Sequence, residues 1–387
     1  MRTKTVTILN ANTLRTKRNT GIDILRGICI LAVMLLHLNI HFGFSKSFLK
    51  EWLPKKLFTL LFWNGYNGVV VFFTISGFLI TGSILKRWGH LSSIGIKSFY
   101  WFRVARILPM LVALLALLSI LHLTGVPGFV IPETKTSLLR AIFSVLTFHV
   151  NWLEIQVGYL PANWDVLWSI SIEESFYLFF PLICLFLKKE WHFVFFFLVF
   201  LVVSPWARTA WYPDNELGSK NHLAFLDAIA FGCLTAIIAF RVALPKMVTI
   251  FALWSGWALI VLVFVFKSVV YKSGLVGFGL DMTLQSLGAA LLLLWMHDNY
   301  RSGKQKNRFL LDWLRRMGVY SYEIYLTHMF VIIFGAQVYK KLALDANWLV
   351  PYTLSLLVLS YWVGKLVFTY FSEPVNLWLR RKRVLPQ

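Results

Sequence analysis

The sequence predicts an all-α protein, a polytopic transmembrane bundle of about ten membrane-spanning helices. Two observations support this prediction. Hydrophobic residues make up 58% of the 387-residue chain and charged residues only 14%, whereas a soluble domain has about 25% charged residues. The hydrophobic residues are also concentrated in long runs, and about 20 such residues are needed to cross about 30 Å of hydrocarbon. A membrane is therefore the expected environment.

Ten apolar runs are the predicted spans, taken in chain order. The first five lie at 22–42, 66–85, 107–124, 166–187 and 191–207. The second five lie at 223–240, 248–266, 275–297, 319–339 and 348–371. A further run, 138–153, is apolar but short, which predicts an interfacial or re-entrant helix. We expect one transmembrane domain at 21–374 between basic tails at 1–20 and 375–387.

Basic residues in the loops predict the orientation of the chain. The loops on the side of the N-terminus hold about twice as many Lys and Arg residues as the loops on the opposite side. Since cytoplasmic loops carry the excess of positive charge, both termini are expected in the cytoplasm. The net charge of +21 then belongs to loops that face an anionic leaflet. It does not indicate nucleic-acid binding, and membrane lipids are the expected partners.

Two ionisable residues share one face of the first predicted helix. Arg26 and His37 are eleven residues apart, which in a helix is close to three full turns and a rise of about 16 Å. Ionisable groups inside a span are costly and normally face a bundle interior or a watery cavity. The stripe therefore predicts a functional site. The alternative is a snorkelling arginine and a hydrogen-bonded core histidine.

The fourth predicted helix carries a pair of carboxylates, Glu173 and Glu174. Glu173 shares its face with Ser169 and Tyr177 by the i±4 rule. We therefore expect Glu173 to be the functional carboxylate and Glu174 the lesser candidate. Trp168 lies near the outer end of this helix, where tryptophans are typical of the membrane interface. The alternative is that the carboxylates join helices through hydrogen bonds.

Several motifs together resemble the acyltransferase 3 membrane proteins, which are bacterial O-acyltransferases of cell-surface glycans. The first is Asp-Ile-Leu-Arg-Gly at 23–27, followed by His37. The clearest is Leu-Trp-Ser-Ile-Ser-Ile-Glu-Glu-Ser-Phe-Tyr-Leu at 167–178. Others occur in the family's order at 72–80, 99–109, 321–328 and 372–374. One departure is Ala224, where relatives often have an arginine, so that a role for Asp227 becomes doubtful.

The resemblance implies transfer of an acyl group, usually acetyl, from a cytoplasmic coenzyme A thioester to a hydroxyl of a carbohydrate. Arginines suit phosphate because of their forked, permanent charge, and the expected cofactor-binding residues are Arg26, Arg103 and Arg106. His37 is the expected general base or, alternatively, an acyl carrier. Glu173 would orient His37 or contact the acceptor.

The remaining expectations concern substrate, metal and location. We assign substrate contacts to Trp168, Tyr177 and His328. His37 and His41 have metal-like spacing without an evident third ligand, so no metal is expected. A bacterial inner membrane is the expected location. We also expect a stand-alone membrane enzyme without a fused extracytoplasmic domain, and we leave its oligomeric state open.

A transporter of a glycan or small solute is the alternative function. Intramembrane Arg, His and Glu side chains also serve as substrate and proton sites in transporters. No inverted repeat or pair of Gly/Pro-broken helices is evident in the sequence. A requirement for a thioester donor distinguishes the two functions.

Overall fold

The computed structural model describes residues 18–211, 216–304 and 309–381. Throughout these ranges the regular structure is helical, and the predicted all-α helical bundle is confirmed. Of the predicted tails, residues 1–17 and 382–387 lie outside the described residues.

Ten long helices correspond in order to the ten predicted runs, and we number them α1 to α10. They are α1 Thr20–Phe42, α2 Gly65–Trp88, α3 Ile96–Leu123, α4 Leu167–Phe186, α5 Glu190–Thr209, α6 Leu226–Arg241, α7 Lys246–Val265, α8 Leu280–Arg301, α9 Ser321–Lys341 and α10 Leu349–Val367. Shorter α-helices connect them at Leu49–Trp52, Lys55–Phe62, Leu138–Leu146, Val150–Val157, Lys267–Lys272 and Asp312–Val319, and a further one, Glu373–Arg381, follows α10. Short 3-10 turns lie at Phe44–Lys46, Leu91–Ser93, Ala162–Trp164, Glu216–Lys220, His222–Phe225, Phe309–Leu311 and Ala346–Trp348.

Eight of these helical segments are long and apolar enough to cross a membrane on their own, within the described ranges. A ninth span is possible if Asp312–Val319 and α9, which meet at an angle of 86°, are taken together. The remaining predicted run, 275–297, corresponds to α8, which is long enough but falls short in hydropathy. Its polar residues explain this, since Gln285 is fully buried and donates to the backbone oxygen of Asn67 on α2. A helix surrounded by protein need not be apolar on every face.

The short run 138–153 forms two short helices, Leu138–Leu146 and Val150–Val157. Ser137 caps the first of them by accepting a hydrogen bond from the backbone N–H of Arg140. Thr147, Phe148 and His149 separate the two helices. This break agrees with the prediction that the segment is not a straight span.

Close glycine contacts bring α1 onto its neighbours. A Cβ on Gly27 would lie 1.9 Å from the backbone oxygen of Leu314, and one on Gly318 would lie 1.7 Å from that of Asp23. Helix α1 and Asp312–Val319 therefore touch backbone to backbone, as small residues allow in membrane bundles. This contact holds the start of α1, with Asp23 and Arg26, against the connection into α9.

The chain continues past α10 through a π-helical turn, Phe368–Ser372, into the helix Glu373–Arg381. Residues 375–381, which the sequence assigns to a basic tail, thus belong to a helix that packs on α3. The Trp101 indole donates to the backbone oxygen of Leu379 at 3.0 Å. π-helical turns are frequent at functional sites, and this one lies beside the cavity described next.

Candidate active site

A cavity of about 980 Å³ opens between α1, α2, α3, α4, α9 and the C-terminal helix. Six of the nine residues that the sequence assigns to the site line this cavity. They are Arg26, Arg103, Arg106, Glu173, Glu174 and Tyr177. They lie on three helices, α1, α3 and α4, and the bundle brings those helices to one space. The sequence predicts a loop at Arg103 and Arg106, before the span 107–124, whereas α3 begins earlier, at Ile96. Three further arginines, Arg18, Arg315 and Arg380, also line the cavity.

The arginines of the cavity differ in how their charge is balanced. Arg106 is paired, since its Nη2 lies 3.0 Å from Glu323 Oε1 and its Nη1 lies 3.8 Å from Glu373 Oε2. Arg18 pairs with Asp23 and Arg315 with Asp312. Arg26, Arg103 and Arg380 form no ion pair within the described ranges, and Arg380 donates to the backbone oxygen of Phe102 at 3.5 Å. Three guanidinium groups thus face the cavity without a carboxylate partner, which is an arrangement suited to an anionic ligand.

The predicted carboxylate Glu173 is bound to two hydroxyl groups inside the cavity. Its Oε1 accepts hydrogen bonds from Ser76 Oγ and from the Tyr177 hydroxyl, each at 2.5 Å. The two hydroxyl groups are also in direct contact with each other. Arg103 lies over the face of the Tyr177 ring, 3.4 Å from its centroid. Glu173 and Tyr177 therefore meet as the i±4 pattern predicts, in a cluster with Ser76 and Arg103.

Ser76 is a residue of the cavity for which the sequence predicts helix packing and no role in the site. The segment Ser76-Gly77-Phe78 suggests close helix packing, and Gly77 does pack tightly, since a Cβ there would lie 2.1 Å from the backbone oxygen of Ile229 on α6. Ser76, one residue earlier and about 100° around the helix, lines the cavity. The available signal was a polar residue beside a packing glycine.

His37 is hydrogen-bonded to His328, not to Glu173. The distance between His37 Nδ1 and His328 Nε2 is 2.9 Å, and the two ring centroids are 5.0 Å apart. His328 is fully buried, whereas His37 is partly exposed. The structure therefore brings together two histidines from α1 and α9 that the sequence assigns to different roles.

Tyr325 connects this histidine pair to the cavity. Its side chain lines the cavity, and its ring centroid lies 5.9 Å from that of His328. The Tyr325 hydroxyl is held at 2.7 Å from Ser169 Oγ and donates to the backbone oxygen of Val166 at 2.8 Å. The pair is thus one side chain away from the space that holds Glu173 and the arginines.

Trp168 lies outside the cavity lining. Its side chain is 5% exposed, stacks on Tyr66 with 5.7 Å between ring centroids and has Lys220 Nζ 5.1 Å from its ring. The structure gives Trp168 a packing environment, and its contact with substrate stays a prediction.

Asp227 has an arginine partner despite Ala224. Arg208 on α5 forms a buried ion pair with Asp227 and donates to the backbone oxygen of Gly279 at 2.7 Å. Thr283 also donates to Asp227, at 2.6 Å. The pair joins α5, α6 and α8 away from the cavity lining, which indicates a role in holding helices together. Within the described ranges no group of three or more His, Cys, Asp or Glu side chains is arranged to hold a metal ion.

Comparison with known proteins gives one family and several named relatives. A family model described as "Acyltransferase domain" matches residues 19–365. A Staphylococcus aureus (strain COL) protein named "Putative O-acetyltransferase" is 31% identical over 229 residues, covering 57% of this chain and 34% of the relative. O-acetyltransferase OatA of Staphylococcus aureus (strain NCTC 8325 / PS 47) is 30% identical over 178 residues, covering 43% of this chain and 25% of the relative. The chain thus spans about a third or less of the length of these relatives. No solved structure matches the chain.

Proposed function

The chain belongs to the acyltransferase 3 family of membrane proteins, and from this premise we propose that it transfers an acyl group to a hydroxyl. The proposed donor is a coenzyme A thioester, with acetyl as the acyl group, and the proposed acceptor is a cell-surface carbohydrate or lipid-linked glycan. The relatives named as O-acetyltransferases support the acetyl group. The observation that carries the proposal is a cavity that combines arginines lacking an ion pair among the described residues with Glu173 and Tyr177 and adjoins the His37–His328 pair.

The donor fits the arginine-lined part of the cavity. Coenzyme A carries three phosphates, and the cavity offers Arg26 and Arg103 as guanidinium groups without carboxylate partners. Arg106 contributes a third positive charge, but Glu323 partly balances it. We therefore assign phosphate binding mainly to Arg26 and Arg103. The volume of about 980 Å³ lies at the upper end of the range of small-molecule sites.

His37 is the proposed base. A bound thioester supplies a carbonyl carbon that is open to attack. His37 takes the proton of the acceptor hydroxyl as the hydroxyl oxygen bonds to that carbon and the carbon–sulfur bond breaks. His37 then returns the proton to the leaving thiolate, so the step is balanced without a further reactant. If His37 instead carries the acyl group, the same ring attacks the thioester first.

We place the protein in a bacterial inner membrane with the arginine-lined end of the cavity on the cytoplasmic side. Coenzyme A thioesters are cytoplasmic, and the excess of basic loop residues on the N-terminal side supports this orientation. The acceptor then approaches His37 from the opposite side.

The test measures ester-linked acetate on surface polysaccharide from cells that express wild-type protein or His37→Ala. We expect the esters to fall by at least about 10²-fold in the variant, which is the lower range for loss of a catalytic base. His41→Ala is the matched control, because His41 is an exposed histidine one turn further along α1. Normal ester content in His37→Ala at equal protein level would contradict the proposed role. Binding of labelled acetyl-coenzyme A to purified wild-type protein tests the donor separately.

A further inference from the structure

The orientation of His328 is set by its own helix. Its Nδ1 lies 2.8 Å from the backbone oxygen of Tyr325 and 3.1 Å from that of Ile324, three and four residues earlier in α9. Carbonyl oxygens accept and never donate, so the proton of this contact is on His328 Nδ1. In a neutral ring, Nε2 then carries a lone pair and can only accept.

This proton placement determines the tautomer of His37. The partner of His328 Nε2 is His37 Nδ1, at 2.9 Å. Because His328 Nε2 accepts, His37 Nδ1 must donate, and the lone pair of His37 is left on Nε2. Neither ring forms an ion pair with any described residue, and His328 is fully buried. A charge on His328 would therefore be uncompensated, which favours the neutral ring.

We propose that His328 is a positioning residue, which holds His37 in the Nδ1–H tautomer and thereby presents His37 Nε2 as the base. The inference rests on the proposed role of His37 in acyl transfer, and it moves His328 from substrate contact to support of His37. Glu173 does not orient His37, because its Oε1 accepts hydrogen bonds from Ser76 and Tyr177 instead. When His37 Nε2 takes a proton, Nδ1–H remains bonded to His328, which stabilises the positive ring by accepting from it.

The other nitrogen of His37 is free for this role. No hydrogen bond within the described ranges involves His37 Nε2, and the side chain is partly exposed. A histidine that served only to join α1 to α9 would make the same 2.9 Å contact. Measurements of the tautomer and of turnover distinguish the positioning role of His328 from this purely structural one.

The first experiment reads the tautomer directly, by nitrogen NMR of histidine-labelled protein in lipid bilayers. The chain has nine histidines, and the His37 signals are assigned by their loss in His37→Gln. We expect a protonated Nδ1 and an unprotonated Nε2 at neutral pH. A protonated Nε2 with a bare Nδ1 in the wild-type protein would overturn the inference, whatever the activity.

The second experiment compares His328→Leu with His328→Gln in acetyl transfer from labelled acetyl-coenzyme A to surface polysaccharide in membrane vesicles. Leucine cannot accept the proton of His37, and we expect kcat to fall by about 10²-fold or more while the KM for the donor stays within about twofold, as for a base held in the wrong tautomer. Glutamine has an oxygen acceptor and should restore part of kcat. Wild-type kcat in folded His328→Leu would overturn the inference. Full activity of His37→Ala would likewise overturn the inference, because no base would then need His328. Absence of acetyl transfer by the wild-type protein would instead contradict the proposed function and leave the tautomer result standing.

Discussion

The guanidinium of Arg103 lies 3.4 Å from the centroid of the Tyr177 ring, whose hydroxyl donates to Glu173 Oε1 at 2.5 Å. One tyrosine thus contacts both a cation and a carboxylate, through its face and its hydroxyl. The ring face attracts the cation through its quadrupole, and the hydroxyl bond is strengthened by the charge on the carboxylate. Tyr177 therefore couples the proposed donor-binding arginine to the proposed functional carboxylate.

Tyr177→Phe separates these two contacts. Phenylalanine keeps the ring beneath Arg103 but removes the hydroxyl that donates to Glu173. A hydrogen bond to a charged group contributes about 1.5–3 kcal/mol, so we expect kcat to fall by about 10- to 100-fold. The dissociation constant for acetyl-coenzyme A should change by less than about threefold. Steady-state kinetics in membrane vesicles, together with donor binding to the purified protein, make this measurement. Loss of donor binding without loss of kcat would contradict the assignment.

Arg26→Ala and Arg103→Ala test the arginine-lined part of the cavity as the donor site. Each removes a guanidinium that has no carboxylate partner among the described residues, so we expect acetyl-coenzyme A to bind at least about tenfold more weakly, or about 1.4 kcal/mol. Lysine at either position should restore less than full affinity, because an ammonium lacks the forked geometry of arginine. Arg241→Ala is the control, since Arg241 is exposed at the end of α6 and pairs with Glu190. Unchanged affinity in both variants and in their combination would place the donor elsewhere.

The sequence predicts the helices well because the length and hydropathy of a span are properties of a continuous segment. It also predicts that Arg26, Glu173 and Tyr177 face an interior, because helical periodicity relates neighbours on one helix. It does not predict which residue of one helix meets which residue of another. His37 and His328 are 291 positions apart, and their contact depends on how α1 and α9 cross. The hydrogen bond from Ser76 on α2 to Glu173 on α4 depends in the same way on how these two helices pack.

Arg106→Ala tests a structural role for the third predicted arginine. Glu323 is fully buried and its Oε1 is held by Arg106 at 3.0 Å and by Ser372 Oγ at 2.6 Å. Removing Arg106 leaves a buried carboxylate without its cation, which costs about 3–5 kcal/mol in buried pairs. We expect the lower end of that range, because Arg106 is 23% exposed. We therefore expect a lower melting temperature. It is measured with a dye that reacts with the three buried cysteines as they become exposed on unfolding.

The double variant Arg106→Ala/Glu323→Gln is the matched control for this effect. Glutamine keeps an oxygen that accepts from Ser372 but carries no charge, so the melting temperature should recover most of its loss. A double variant as unstable as Arg106→Ala would show that packing of the arginine stem, not the ion pair, is what stabilises this junction of α3, α9 and the C-terminal helix.

Glu154→Gln tests a pH effect in the short helix Val150–Val157. Burial, reinforced by the neighbouring Asp165, raises the pKa of the Glu154 carboxyl well above its ordinary value. The folded protein therefore prefers the neutral carboxyl, and it loses stability as pH rises from the ordinary pKa of about 4.3 towards the raised one. Glutamine stays neutral and keeps an oxygen for the Leu160 N–H, which Glu154 Oε1 accepts at 3.0 Å.

We expect the melting temperature of Glu154→Gln to exceed that of the wild-type protein by a margin that widens between pH 5 and pH 8. Between the ordinary and the raised pKa, each pH unit lowers the free energy of unfolding of the wild-type protein by up to about 1.4 kcal/mol. Glu133→Gln is the control, because Glu133 is exposed in the same region of the chain and its substitution should give a constant difference. A margin for Glu154→Gln that narrows as pH rises would contradict the sign of the effect.

The orientation of the bundle is tested by single cysteines in a background where the three native cysteines are buried. His41→Cys lies at the end of α1, and Arg87→Cys lies near the end of α2, both at exposed positions. Helices α1 and α2 are consecutive spans, so positions near their C-terminal ends belong to opposite sides of the membrane. If both termini are cytoplasmic, an impermeant thiol reagent added outside intact cells should label His41→Cys and leave Arg87→Cys unlabelled.

In inverted vesicles the labelling should reverse, because the reagent then reaches the cytoplasmic face. The result bears directly on the mechanism, since coenzyme A thioesters are cytoplasmic and Arg26 is near the start of α1, about 16 Å of helix before His37. Labelling of Arg87→Cys from outside would show that the arginine-lined end of the cavity faces away from the cytoplasm, where the coenzyme A thioester is found. Acyl transfer from a cytoplasmic thioester through this cavity would then be excluded, even though the chain would still belong to its family.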